Sequence, residues 1–176
     1  MHLTISNPEN LLTPLLVGTA GFSATPAYRQ EVLRKFRRAI TFVAYLARTE
    51  HLALKGYEWW ALVVMRELLE TPDFGSDHED LEALLTAAVG WVSIAGPQIY
   101  ARDYEFPYGG NLGDRGRGGP LWNGKHGFCK ERWALWKQRF VELSSPSSGL
   151  SESLRNLCSE GAAKMVEVEA QVARPG

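Results

Sequence analysis

Features that mark several specialised classes of protein are scarce in this sequence of 176 residues. It contains two cysteines, Cys129 and Cys158, which are too few for the disulfide framework of a small secreted domain. No run reaches the roughly 18 apolar residues of a membrane-spanning helix. The apolar stretch near the N-terminus is short, is interrupted by Pro14 and lacks a preceding basic region, so it is a poor signal peptide. We therefore expect a soluble protein of the cytoplasm, with the nucleus as the alternative, and no membrane partner.

A strong excess of one charge is also missing. The formal net charge is −1, whereas a general nucleic-acid-binding protein usually carries a large basic excess. The charges are nevertheless segregated: residues 67–82 contain seven acids and no lysine or arginine, and residues 29–38 contain five basic residues and one acid. Helix surfaces of opposite charge that face each other or water explain this pattern most simply. Binding of RNA through residues 29–38 is the weaker interpretation, and we expect no nucleic-acid partner.

Helical periodicity dominates what is present. Hydrophobic residues make up 45% and charged residues 22% of the chain, a balance typical of one globular domain. Apolar residues recur at helical spacing in successive segments, and the alternation typical of strands is not found. Thr25 and Pro26 have the pattern of an N-cap followed by a proline at the first helical position. The sequence predicts an all-α fold without a sheet, a single compact bundle of five or six helices over residues 25–172, after an N-terminal extension at residues 1–24.

One long segment, at about residues 106–127, lacks helical spacing and holds eight of the 17 glycines. A loop of this length inside a compact domain is unusual, which indicates either a functional or a mobile segment. Residues 119–125 match the first seven positions of a phosphate-binding loop, but His126 replaces the hydroxyl residue that would hold Mg²⁺. Pro120 also removes a backbone donor, and no strand precedes the match. We therefore expect no nucleotide and no other cofactor.

The segment after this loop predicts an aromatic helix. One face of that helix contains Cys129, Trp133, Trp136, Phe140 and Leu143, with Arg132 and Arg139 along its flank. In the favoured interpretation the aromatic residues belong to the core, and the arginines lie over aromatic rings or pair with carboxylates. In the alternative, they line a pocket for a small organic molecule beneath residues 106–127. The candidate lining residues are Tyr108, Arg115, Trp122, His126, Arg132, Trp133, Trp136 and Arg139.

His126 and Cys129 have the short spacing of a metal-binding pair. Zinc requires three or four protein ligands, and no second close pair occurs in the sequence, so we expect no metal site. Cys129 could also act as a nucleophile, because Lys125 and Lys130 would lower the pKa of its thiol. A single cysteine on an apolar helix face is more often a small buried residue, so we assign no catalytic residue.

A recognisable signature runs from residue 118 to residue 140. It consists of a Gly-Pro-Leu-Trp loop, a Gly-Phe pair and an Arg-Trp-x-x-Trp-Lys-x-Arg-Phe helix: Gly119, Leu121, Trp122, Gly127, Phe128, Arg132, Trp133, Trp136, Lys137, Arg139 and Phe140. This signature resembles that of a fungal family known as domain of unknown function 3632 (DUF3632). The resemblance implies a mostly helical, intracellular fungal protein, shorter at its N-terminus than is usual for the family. It implies no activity, and no catalytic residue can be transferred from it.

Two hypotheses for the function follow from the sequence. The favoured one is a non-catalytic helical domain that binds another protein or a second copy of itself, or that stabilises an assembly. An exposed apolar patch would mark its partner surface. The alternative is a cofactor-independent enzyme or binding protein for a small organic molecule, with its pocket beneath residues 106–127. Whether the protein is an enzyme stays open at this point.

Overall fold

Five α-helices and one very short sheet make up the part of the chain that the structure describes. This computed structural model describes residues 25–49, 57–72, 78–107 and 114–174, so the predicted extension at residues 1–24 lies outside the described residues. The helices are α1 (Pro26–Arg48), α2 (Trp59–Leu69), α3 (His78–Ala101), α4 (Lys130–Ser144) and α5 (Glu152–Val172). The strands are β1 (Tyr104–Glu105) and β2 (Gly127–Phe128), and a 3-10 turn at Pro146–Ser148 connects α4 to α5. The predicted all-α fold class is confirmed.

Local sequence signals explain where helices begin and how the chain turns between them. Thr25 is the N-cap of α1, and its side chain accepts a hydrogen bond of 3.3 Å from the Tyr28 amide. Ser151 caps α5 in the same way and accepts from the Leu154 amide at 3.4 Å. Gly149 has a φ of 76°, a left-handed conformation that suits glycine and redirects the chain from α4 into α5.

Helix α3 lies at the centre of the bundle. It packs against α1, α2 and α5, and α4 packs against α5 and α2. By length and composition, Glu79–Ala101 would also suit a membrane span, with a mean hydropathy of 1.3, yet 56% of this window is buried inside the protein. A core helix passes the same test, and the three neighbouring helices account for the apolar character of α3.

Pro97 bends α3 near its C-terminal end. Proline has no N–H for the helical bond to the Ser93 carbonyl, and Ala95 leaves helical geometry with φ −124° and ψ 16°. The Gly-Pro pair in the sequence predicts either an end or a kink, and the structure has the kink. Gly96 lies directly against α5, because a Cβ at this position would be 2.7 Å from Cγ2 of Val168.

The prediction that the chain has no sheet is wrong in one detail. Strands β1 and β2 pair antiparallel, with Tyr104 opposite Phe128. Beyond the ladder, the Phe106 amide donates to the His126 carbonyl at 2.8 Å. Two-residue strands are too short to produce an alternating pattern, so periodicity could not reveal them. The ladder joins the two ends of the glycine-rich loop.

The aromatic helix α4 forms one wall of the core. The residues predicted to share its apolar face are all buried: Cys129, Trp133, Trp136, Phe140 and Leu143. Trp136 is 1% exposed and Trp133 is 2% exposed, which confirms the interpretation of these residues as core. The ring of Phe140 lies against Gly161, where a missing side chain lets α4 and α5 approach closely.

We predict that alanine has opposite effects at two helical glycines, Gly161 and Gly90. A Cβ at Gly161 would lie 2.8 Å from the ring of Phe140, whereas a Cβ at Gly90 meets nothing within 4 Å. Both substitutions gain about 1 kcal/mol of helix propensity, but Gly161→Ala also incurs about 1–3 kcal/mol of overpacking. Urea unfolding should show that Gly90→Ala is more stable than the wild type. Gly161→Ala should be less stable than Gly90→Ala by about 1–3 kcal/mol. Equal changes in the two variants would contradict the close packing of α4 on α5.

Candidate functional site

A buried ion pair joins the end of α2 to the beginning of α4. Glu70 is the C-cap of α2, and Arg132 lies in the first turn of α4. Both side chains are 0% exposed. The guanidinium donates to the carboxylate twice, from Nε to Oε1 at 2.6 Å and from Nη2 to Oε2 at 3.0 Å. We term this pair the clamp; its two residues are 62 positions apart in the sequence.

Arg132 uses its remaining donors on the glycine-rich loop. Nη1 donates to the carbonyl oxygens of Gly116 and Gly127, both at 2.8 Å. Nη2 donates to the carbonyl oxygen of Arg117 at 3.0 Å. A guanidinium group has five N–H donors, so none is left for a ligand. Pairing of this arginine with a carboxylate is the arrangement that the core interpretation predicts.

Glu70 is equally saturated. Its Oε1 also accepts a hydrogen bond from the indole Nε1 of Trp136 at 2.7 Å, and its Oε2 accepts from the Gly119 amide at 2.7 Å. The Glu70 carbonyl accepts from the Leu121 amide at 2.9 Å. A buried ion pair is tolerated only when the rest of its hydrogen-bonding capacity is filled. One set of hydrogen bonds thus holds α2, α4 and the loop together.

The stretch that resembles a phosphate-binding loop therefore already contacts a carboxylate. The Gly119 amide, which would face a phosphate in such a loop, donates to Glu70 instead. A Cβ at Gly119 would lie 2.7 Å from the Glu70 carbonyl oxygen, so this approach requires glycine. Lys125, at the position of the phosphate-binding lysine, forms an ion pair with Asp103. Gly119 therefore attaches the loop to the end of α2, and Lys125 attaches it to the segment that follows α3.

The two other tryptophans of this region have their indole donors engaged as well. Nε1 of Trp122 donates to the Lys125 carbonyl at 2.9 Å. Nε1 of Trp133 donates to Oε1 of Glu169 in α5 at 3.0 Å, and the ammonium group of Lys137 donates to the same carboxylate oxygen at 2.8 Å. Trp122 therefore fixes the conformation of the loop, and Trp133 links α4 to α5.

The candidate pocket residues of the loop occupy different surroundings. The guanidinium carbon of Arg115 lies 4.8 Å from the centre of the Trp59 ring. His126 is partly buried, and its backbone carbonyl belongs to the pairing that closes the loop. Tyr108 lies outside the described residues. A pocket that combines these three side chains stays a prediction.

An open cleft of about 390 Å³ lies beside the loop. Its walls are Arg66, Glu67 and Thr71 on one side and residues 117–120 on the other. Arg66 is paired with Glu67 at 3.0 Å. Arg139 donates to the Thr71 carbonyl at 3.3 Å, yet neither Arg139 nor any of the six other candidate residues that the structure describes is part of the cleft wall.

Both cysteines are buried free thiols. Burial raises the pKa of Cys158 to about 11, and burial is also the main cause that raises the pKa of Cys129. A nucleophilic cysteine needs a lowered pKa, so neither environment favours a reactive thiolate. Within the described ranges, no three histidine, cysteine, aspartate or glutamate side chains come together in a way that could hold a metal ion.

Sequence reasoning did not single out Glu70, the acceptor at the centre of the clamp. The residue is one of seven acids at residues 67–82, and the composition of this run predicts a charged helix surface. One signal was present. Glu70 directly follows an apolar helix, and the C-terminal end of a helix carries partial negative charge, which disfavours a carboxylate there unless a cation pairs with it.

These features define a class of protein: a small helical domain in which a buried ion pair fastens a glycine-rich loop to the ends of two helices. The family model described as "Protein of unknown function (DUF3632)" matches residues 12–140. The match spans well over half of the chain, so the chain belongs to the DUF3632 family, as its signature predicted. No curated protein and no solved structure matches the chain. Membership in the family confirms the resemblance and assigns no activity.

We predict that removal of one member of the clamp strongly destabilises the protein. Arg132→Met leaves the carboxylate of Glu70 buried without its cation, which typically costs on the order of 3–5 kcal/mol. The free energy of unfolding in urea, followed by circular dichroism, measures this loss. The double variant Glu70→Leu/Arg132→Met should lose less than the sum of the single variants, because it leaves no charge buried.

The surface pair between Lys164 and Glu167 provides the matched control. Its side chains are 39% and 64% exposed, and the joined atoms are 2.8 Å apart. Exposed pairs contribute about 0–1 kcal/mol, so Glu167→Gln should have little effect on the free energy of unfolding. Equal losses in Glu167→Gln and Arg132→Met would show that the burial of the clamp has no energetic importance.

We also predict that Cys158 is alkylated slowly in the folded protein. The residue is 0% exposed, and its pKa of about 11 keeps the thiol protonated at neutral pH. Because the ordinary value is 9.0, this thiol favours the folded state below that pH, and its contribution is lost as the pH rises toward 11. Iodoacetamide labelling at about pH 7–8, followed by mass spectrometry, should therefore track global unfolding. Rapid labelling without unfolding would contradict this burial.

Proposed function

We propose that this chain is a non-catalytic protein-interaction domain, and that its partner presents an acidic amphipathic helix to the exposed side of α1. One observation carries the proposal. Two neighbouring aromatic side chains on this helix, Phe42 and Tyr45, are 55% and 53% exposed. Adjacent exposed aromatic groups are typical of a binding surface, because their burial by a partner is favourable and because tyrosine is frequent among the residues that dominate binding energy.

The exposed side of α1 runs along most of the helix. Helical spacing places Tyr28, Lys35 and Phe42 in one line, with Arg38 and Tyr45 in a line beside it. We term these five residues the docking face. The opposite side of α1 is buried against α3. The docking face extends for about 25 Å at 1.5 Å per residue, a length that suits a partner helix of about five turns.

The charge of α1 favours an acidic partner. The helix contains six basic residues and one acid, Glu31. This acid is already shared by Arg34 and Lys35, at 2.5 Å and 3.6 Å. Arg38 has no ion-pair partner within the residues that the structure describes, and it lies one helical turn from Phe42. Carboxylates on a partner helix would provide the missing countercharge beside the aromatic rings.

A protein helix suits the docking face better than a nucleic acid does. Phe36, the aromatic residue within the basic run, is 1% exposed and belongs to the core, so it offers no ring for stacking on a base. Nucleic acids draw mainly on clusters of cations that contact phosphates. The docking face has two cations, Lys35 and Arg38, and Lys35 already lies 3.6 Å from the carboxylate of Glu31.

The alternative function, a small-molecule site beneath residues 106–127, has less support. The indole rings of Trp133 and Trp136 are buried in the helix core, and every donor of Arg132 has a partner within the protein. The cleft beside the loop is open, and its wall contains none of the candidate side chains that the structure describes.

A synthetic acidic helix tests the proposed function. The probe is a peptide of about 20 residues with leucine on one face and glutamate on the other, and fluorescence anisotropy measures its binding. Phe42→Ser/Tyr45→Ser should weaken binding at least about tenfold, because two aromatic contacts are lost. Both rings are exposed, so the melting temperature of this variant should stay within about 2 °C of the wild type.

Val166→Ser is the matched control, because Val166 is 54% exposed on α5 and lies outside the docking face. It should leave peptide binding unchanged, and a scrambled peptide of the same composition should bind weakly. A single-stranded RNA of similar length is the comparison polymer. Binding that Phe42→Ser/Tyr45→Ser leaves intact, or preference for the RNA over the peptide, would overturn the proposal.

A further inference from the structure

A second cleft lies where α1, α3 and α5 meet, at the kink of α3. Its volume is about 300 Å³. Arg48 of α1 lies on one side, Pro97 and Gln98 of α3 lie at the kink, and Lys164 and Val168 belong to α5. No residue of the docking face or of the glycine-rich loop lines it. A volume of this size is at the lower end of the range of small-molecule sites, about 300–1,000 Å³.

We propose that this cleft binds a free carboxylate that is adjacent to an amide N–H and a short apolar side chain. This chemistry is shared by an N-acylated amino acid and the C-terminal residue of a peptide. The proposal does not depend on the docking face, and each can fail without the other.

An uncompensated cation at the cleft supports a carboxylate as one feature of the proposed ligand. Three charged residues line it, and two of them, Lys164 and Glu167, neutralise each other at 2.8 Å. Arg48 has no hydrogen-bond or ion-pair partner in the described part of the chain. A guanidinium group binds a carboxylate through two parallel hydrogen bonds, which fixes both the distance and the orientation of the ligand.

An unsatisfied acceptor in the cleft supports an amide N–H group as the second feature of the proposed ligand. Gln98 lines the cleft, and its Oε1 is buried without a hydrogen-bond donor among the described residues. A buried polar atom without a partner is unfavourable, so a ligand donor at this position is favoured. In the proposed complex, the terminal amide of Gln98 is turned so that this oxygen faces the cleft. Ser93 also lines the cleft, and Pro97 has no N–H to donate to its carbonyl.

Apolar side chains at the base of the cleft support a short apolar side chain as the third feature of the proposed ligand. Val92 and Val168 are buried, and Ile94 and Pro97 are partly buried beside them. The close contact of Gly96 with Val168 holds α5 against the kink, so the base is built by packed helices. A short aliphatic group would contact these side chains while its carboxylate contacts Arg48.

Titration with N-acetyl-L-leucine, followed by ¹⁵N–¹H NMR of the full chain, tests the proposal. Saturable shifts should be confined to amides around Arg48, Gln98 and Val168. N-acetyl-L-leucinamide, which lacks the carboxylate, should bind at least about fivefold more weakly. Arg48→Gln should weaken the binding of N-acetyl-L-leucine by a similar factor. Arg37→Gln is the matched control, because Arg37 is an exposed arginine of the same helix about 16 Å away along the helix axis.

Gln98→Met separates a binding role from a structural one. It removes the unsatisfied acceptor and keeps the length of the side chain. The affinity for N-acetyl-L-leucine should therefore fall about threefold or more, while the melting temperature stays equal or rises. A Gln98 with only a structural role would give a lower melting temperature and unchanged affinity.

A tetrapeptide that ends in leucine, with a free or an amidated C-terminus, distinguishes the two sources of the ligand. Tighter binding of the free-acid peptide than of N-acetyl-L-leucine assigns the cleft to a peptide C-terminus, and the reverse order assigns it to a free acylated amino acid. Absence of saturable shifts up to the solubility limit of both probes would overturn the proposal. Equal affinity of Arg48→Gln and the wild type would do the same.

Discussion

The burial of Glu70 and Arg132 is the constraint on which the architecture around the loop depends. Two charges removed from water lose their hydration, and the attraction between them compensates only when the other lone pairs and N–H groups also find partners. Here those partners are the indole of Trp136, the amide of Gly119, and the three backbone carbonyls of Gly116, Arg117 and Gly127. The described part of the loop has little regular secondary structure, so the ion pair provides hydrogen bonds that a helix or a sheet would otherwise supply.

Helical periodicity was sufficient for most of the fold, because burial of one helix face repeats along the sequence. It placed Trp133 and Trp136 in the core, and the Gly-Pro pair indicated the kink in α3. It could not identify Glu70 as the partner of Arg132, because a contact between residues 62 positions apart leaves no local repeat. The docking face was also missed for a physical reason. Periodicity tells which residues lie off the apolar stripe of α1, but exposure of their rings depends on which elements pack around that helix.

Several residues of the family signature take part in the hydrogen bonds around the clamp. Gly119, Arg132 and Trp136 belong both to the signature and to the buried hydrogen-bond network. These three signature residues therefore have a structural role in the fold. The two surfaces for which we propose binding lie elsewhere, on α1 and at the kink of α3. Helix α5, which forms one wall of the kink cleft, lies beyond residue 140, where the family match ends.

The separation of Glu70 and Arg132 along the chain also has a kinetic consequence. Helices α4 and α5 are joined by a short turn and can meet early in folding, whereas the ion pair must first close a segment of 62 residues, whose conformational entropy opposes it. We expect the ion pair to form after the rate-limiting step and so to act mainly on the rate of unfolding. The clamp then lengthens the lifetime of the native state and has little effect on the folding rate.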